Sequence, residues 1–123
     1  MSLTPSPAFE SLRVWHDARR LTKRIYECTR GGAFAQDFGL RDQVRRAAVS
    51  VMSNIAEGYE RGGRKEYLQF LRIAKGSIAE VRSQIYTAQG IGYLSPELAA
   101  ELRREAVSLA KQLGRMIEQA RQE

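Results

Sequence analysis

Apolar residues recur along this chain at intervals of three and four, and no stretch alternates with the period of two that a half-buried strand shows. Four such stretches stand out. The first places Val14, Ala18, Leu21, Ile25 and Cys28 on one narrow stripe and predicts a helix from Ser11 to Arg30. Gly31-Gly32 ends it, because glycine accepts the positive φ of a helix C-terminal cap. The segment from Gly31 to Gly39 reads as a loop whose Phe34 and Phe38 tuck onto the end of the helices. The second helix runs from Leu40 to Glu60, with Leu40, Val44, Ala47, Ala48, Val51, Ile55 and Tyr59 as its core stripe. Gly62-Gly63 breaks it. The third begins at Arg64 and carries Tyr67, Phe70, Leu71, Ala74, Ile78, Val81, Ile85 and Ala88 on one face, ending around Gly90-Ile91-Gly92. The fourth has the sharpest start: Ser95 as N-cap, Pro96 at the first helical position, and Glu97 complementing the helix dipole. Its stripe is Leu98, Leu102, Ala106, Leu109, Leu113, Ile117 and Ala120. Helices of this length joined by short connections favour antiparallel neighbours. The expected fold class is all-α, an antiparallel up-down-up-down four-helix bundle over residues 9–123, preceded by a flexible N-terminal arm at 1–8.

The second helix has more than one face. Gln43, Arg46, Ser50, Asn54 and Glu57 fall on an arc with no apolar interruption, and Val49, Met52 and Ala56 form a smaller apolar strip on the far side. A helix needs one apolar face to join a bundle. The second strip points to a further partner, and it is the expected oligomer interface with another copy of the chain. Ser50, Asn54, Glu57 and Gly58 are read as a structural motif, with Asn54 and Glu57 making inter-helix hydrogen bonds that set register. Gly76-Ser77 inside the third helix is expected to let another helix approach closely.

At 123 residues the chain is one domain by size and large enough for its own core. No apolar run approaches the roughly 20 residues that span a bilayer. The first residues lack the charged and apolar regions of a signal peptide. The lone Cys28 agrees with a reducing compartment, so a cytoplasmic location is expected. The charge changes the picture more. Twenty Lys and Arg against fourteen Asp and Glu give +6, with a pI near 9.9, a mark of nucleic-acid binders. Arg13, Arg19, Arg20, Lys23, Arg24 and Arg30 project within an arc of about 140° on the first helix, opposite its core stripe. Arg64, Lys65, Arg72, Lys75 and Arg82 fall within about 100° on one flank of the third. Arg41, Arg45 and Arg46 lie near the start of the second, and the fourth helix, with five basic and five acidic residues, counts as neutral. Arginine predominates, and its planar fork suits phosphate oxygens. A basic face made by the first and third helices is the expected nucleic-acid surface, with Arg13, Arg20, Lys23, Arg24, Arg64, Lys65, Arg72, Lys75 and Arg82 touching the ligand.

Catalytic and metal chemistry finds no footing. The single His16 has no Glu three residues before it, and no Cys/His constellation for zinc exists. No phosphate-binding glycine loop is present, and Ser50 and Ser53 lack a histidine partner. Tyr67 and Phe70 read as core. Tyr86 and Tyr93 are candidates for exposure, without an interleaved aromatic and basic pattern along the chain. No catalytic residue, metal or cofactor is assigned. The leading reading is a non-enzymatic, homo-oligomeric protein that binds nucleic acid without sequence preference. Its rivals are a scaffold docking an acidic protein and an enzyme with its site at Asn54 and Glu57.

A family resemblance joins these observations. The opening Phe9-Glu10-Ser11-Leu12-Arg13-Val14-Trp15, the Phe38-Gly39-Leu40 segment, the run ending Asn54-Ile55-Ala56-Glu57-Gly58, and the later Glu66-Tyr67-Leu68-Gln69-Phe70-Leu71, Ile73-Ala74-Lys75-Gly76-Ser77 and Gly92-Tyr93-Leu94-Ser95 resemble the four-helix-bundle proteins encoded in 23S rRNA intervening sequences. That family is similar to the accessory variability proteins of diversity-generating retroelements. The likeness implies a four-helix bundle, assembly into a homopentamer, nucleic-acid binding through basic surfaces, and work alongside a reverse transcriptase. Met52 stands where the family usually has proline.

Overall fold

Local sequence rules place the helix ends. In this computed structural model, which describes residues 8–123, a 3-10 turn at Phe9–Ser11 precedes five α-helices: α1 (Arg13–Cys28), α2 (Gly32–Gln36), α3 (Phe38–Arg61), α4 (Arg64–Ile91) and α5 (Pro96–Gln122). The chain is all-helical, and among the described residues there is no strand. The arm expected at 1–8 lies, apart from Ala8, outside the described residues. α1, α3, α4 and α5 are the four predicted helices. α3 and α4 end on Gly62 and Gly92 at φ +83° and +97°, a conformation that costs any residue with a Cβ. Ser95 caps α5 as expected: its side chain accepts the Leu98 N–H at 3.1 Å, with Pro96 in the first turn.

The segment read as a loop holds one short helix, α2. Phe34 is buried and stacks on Tyr93 at 5.1 Å between ring centres. Phe38 does not tuck in. It is 60% exposed as the first residue of α3, with the Arg41 guanidinium 4.8 Å above its ring. Asp37 starts α3 by accepting the Leu40 N–H at 3.1 Å, a capping role that the loop reading of this segment does not include. α3 runs unbroken through Met52.

The core is the sum of the predicted stripes. Leu21, Ile25, Val51, Ile55, Leu71, Ile78, Ile85, Leu102, Leu109 and Leu113 have essentially no exposed surface, each contributing about 1.5–3 kcal/mol by leaving water. Tyr67 and Phe70 are only partly buried rather than core residues. Tyr67 meets Tyr59 edge-on, and Arg61 covers Phe70. α3 packs on α1 and α4, and α5 packs on α4 and α1. α1 and α4 do not pack on each other to a comparable extent. Neighbouring helices meet with their chains running in opposite directions. Thr22 reaches Ala48 while Arg45 reaches Thr29. Ser50 meets Ser77 while Gly58 meets Phe70. Gln89 meets Arg103 while Lys75 nears Gly114, and Arg24 meets Glu105 while Asp17 meets Gln112.

Candidate nucleic-acid interface

The expected surface joined the basic residues of α1 and α4. The structure does not bring those helices together, because α5 lies between them on one side and α3 on the other. The way α5 meets each neighbour therefore decides where charge collects. Two of its acidic residues, Glu101 and Glu105, turn toward α1. Glu105 and Glu101 both take hydrogen bonds from the Arg24 guanidinium. Partial burial works against that charge, but these bonds and the nearby carboxylates more than offset it and hold the Arg24 pKa above the ordinary arginine value. Asp17 bonds Arg20 at 2.9 Å and lies 3.8 Å from Arg13. Three of the four α1 residues expected to touch nucleic acid, Arg13, Arg20 and Arg24, therefore already have carboxylate partners. Lys23 is exposed and has none within ion-pair distance among the described residues.

Four of the five basic residues of α5 turn the other way, while Arg121 pairs with Glu118 on its own helix. Arg103, Arg104, Lys111 and Arg115 of α5 and Arg82 of α4 line a groove of about 660 Å³ between the two helices, together with Tyr86, Ser108, Ala100 and Val107. No carboxylate lines it, and none of its five cations has an ion-pair partner among the described residues. Arg103 is held in place by donating to Gln89 Oε1 at 2.6 Å and lying 4.3 Å over the Tyr86 ring. Lys75, whose Nζ approaches Gly114, continues the same seam, and Arg72 lies one turn earlier on α4. Arg64 and Lys65 are exposed at the start of α4. Sequence reasoning missed the α5 residues by counting charges on that helix. The signal was angular: Arg104, Lys111 and Arg115 share the middle of one ridge, with Glu97 and Glu118 at its two ends, while Glu101 and Glu105 occupy the next flank.

The structural motif of α3 works differently from the expectation. Asn54 does not reach another helix. Its Nδ2 donates to the Ser50 carbonyl at 2.8 Å and to Ser50 Oγ at 3.0 Å. Glu57 pairs with Arg61 of its own helix at 3.5 Å, and its side chain is half exposed. The inter-helix bond is Ser50 Oγ to Ser77 Oγ, 2.9 Å. Short side chains meet where the backbones are close, and Asn54 orients the Ser50 hydroxyl. Gly58 is buried, and a Cβ there would stand 2.7 Å from Phe70 Cβ. Gly76, expected to permit close approach, is exposed with nothing near its missing Cβ. Val49 is exposed, and Met52 and Ala56 are half-buried, with Met52 leaning onto the core. His16 is exposed and its Nε2 lies 2.7 Å from the Glu10 carbonyl. Burial pushes the Cys28 thiol pKa up, so this cysteine stays protonated and behaves as a small apolar residue. No helix among the described residues is long and apolar enough to cross a membrane.

The described residues form helices alone, with a groove lined by cations between α4 and α5, which places the chain among small all-helical proteins. A family model described as 23S rRNA-intervening sequence protein matches residues 10–115, and the chain belongs to that family. Among solved structures, a protein of unknown function from the S23 ribosomal protein family of Bacteroides thetaiotaomicron superposes with a TM-score of 0.80. It is 19% identical, and the match covers 85% of this chain and 95% of that one. No curated protein matches the chain.

Proposed function

We propose that this chain is a non-enzymatic, homo-oligomeric accessory protein that binds RNA and/or DNA electrostatically. It is read as an up-down-up-down four-helix bundle, supported by the antiparallel pairing of each neighbouring helix pair. The observation that carries the binding reading is the α4–α5 groove, where five cations meet without a carboxylate. Unneutralised guanidinium groups held close together repel one another and gain by meeting phosphates. The binding surface accordingly centres on Arg82, Arg103, Arg104, Lys111 and Arg115, extended by Lys75, Arg72, Lys65 and Arg64. The paired cations of α1 contribute little. Val49, Met52 and Ala56 are the proposed interface between copies, and a pentamer and a reverse transcriptase partner follow from the family likeness alone. Several copies of one weak basic groove on a particle would bind a long polyanion by avidity.

Gel shifts with random-sequence RNA and duplex DNA, titrated with salt, test this. Each phosphate that the protein neutralises steepens the slope of log affinity against log salt by about 0.7–0.9. Lys111→Gln with Arg115→Gln is expected to weaken binding and flatten that slope, whereas Arg13→Gln with Arg20→Gln changes either less. No binding at low salt overturns the reading in favour of a scaffold for an acidic protein. Equal effects from the two pairs overturn the placement.

A further inference from the structure

We propose that the α4–α5 groove takes a single strand of nucleic acid, with an unpaired base stacked on the Tyr86 ring. This rests on the nucleic-acid reading above and goes further, since it selects the strandedness of the ligand and assigns a base-stacking residue. Tyr86 is 60% exposed, although a tyrosine ring loses free energy by standing in water. It stands in the groove rather than on an unrelated face. The Arg103 guanidinium covers one of its faces at 4.3 Å and is itself pinned by Gln89. A ring held this way from one side presents its other face as a ready platform, with little side-chain entropy left to lose on binding. A planar base laid there completes a guanidinium, phenol, base stack.

The surrounding charges suit one strand. From Arg103 to Arg115 the α5 ridge extends about 18 Å at 1.5 Å per residue. That is the axial length of roughly five nucleotides at the 3.4 Å rise of one stacked strand. Arg104, Lys111 and Arg115 line this length from one helix and Arg82 faces them from the other, so phosphates are met from both walls. Packed helices stand only about 8–10 Å apart at their axes. The furrow between them admits one backbone, while a duplex would rest on the ridges with its bases turned inward, away from Tyr86. The aromatic and basic interleaving typical of single-strand sites is absent along the chain, and two helices create it across the seam.

Fluorescence anisotropy with four probes of equal length tests the proposal: a labelled oligo(dT), the same strand with abasic sites throughout, a duplex, and inorganic polyphosphate. The full chain is expected to prefer oligo(dT) to the other three. Tyr86→Ala should weaken oligo(dT) binding by about 5- to 100-fold, the loss of one stacked base. Abasic and polyphosphate binding should stay within about twofold, and Tyr86→Phe should retain the native preference. The surface position of Tyr86 leaves the core untouched in both variants. Tyr86→Ala acting equally on oligo(dT) and abasic strand, or no preference over duplex, overturns the stacking while leaving the electrostatic reading intact. Failure to bind any of the four at low salt overturns both, and binding of polyphosphate as tightly as oligo(dT) overturns the stacking by assigning the groove to charge alone.

Discussion

Two glycines show how little of a residue's role is visible without its neighbours. Gly58 and Gly76 both sit inside long helices, where glycine costs roughly 0.5–1 kcal/mol against alanine. At Gly58 that cost admits Phe70, whose Cβ occupies the space a side chain would need. Gly58→Ala is expected to lower stability by about 1–3 kcal/mol through overpacking, seen as a lower midpoint in thermal unfolding. Gly76 returns nothing from its surroundings, so Gly76→Ala should raise stability by about 0.5–1 kcal/mol through helix propensity alone. The paired measurement separates close packing from propensity. Both residues look alike in the chain, and only the position of Phe70 tells them apart.

Among the elements, the junction of α2 and α3 is the most instructive. Asp37 caps α3 through the Leu40 N–H with one carboxylate oxygen and accepts the Tyr93 hydroxyl at 2.9 Å with the other. It thereby ties the start of α3 to the turn between α4 and α5. Asp37→Ala should cost about 1 kcal/mol for the cap and destabilise more than Tyr93→Phe, which removes only the second bond. The hydrogen bond to Asp37, then burial, holds the Tyr93 phenol pKa above its ordinary value. The folded protein therefore keeps that proton more tightly than the unfolded chain does. The resulting stability is fully present below the unfolded phenol range near about 10, and is lost as pH rises through the raised folded value. Urea midpoints compared at about pH 8 and about pH 11 should fall less in Tyr93→Phe than in the parent. Helix extents and the Ser95 cap were legible because glycine, proline and serine act locally. The Asp37 cap was not, because Phe38 looks like a core residue and draws the segment into a loop.

At the scale of the molecule, the proposed assembly and the proposed binding surface are separable. The strip Val49, Met52 and Ala56 lies on α3, and the groove lies between α4 and α5. Particle mass in solution is expected near five times the 13.9 kDa chain. Val49→Asp, at the exposed position of the strip, should reduce it to a single chain while preserving the helical circular dichroism. The same variant should bind a long RNA far more weakly yet a short oligonucleotide almost unchanged, since avidity requires several grooves on one strand. A particle whose mass ignores this change would place the interface elsewhere.

The periodicity of apolar residues, read with glycine and cap positions, was enough to determine four long helices, their core stripes and the all-helical class. Each of those follows from interactions within a few residues along the chain. Which helices are neighbours was settled only by the tertiary packing, and with it the fate of the charges. α5 is neutral as a sum. Packed between α1 and α4 it is divided: Glu101 and Glu105 meet Arg24 of α1 on one side, and Arg103, Arg104, Lys111 and Arg115 gather in the groove on the other. Electrostatic energy depends on distance and not on composition, so a basic surface belongs to the folded arrangement and not to the count.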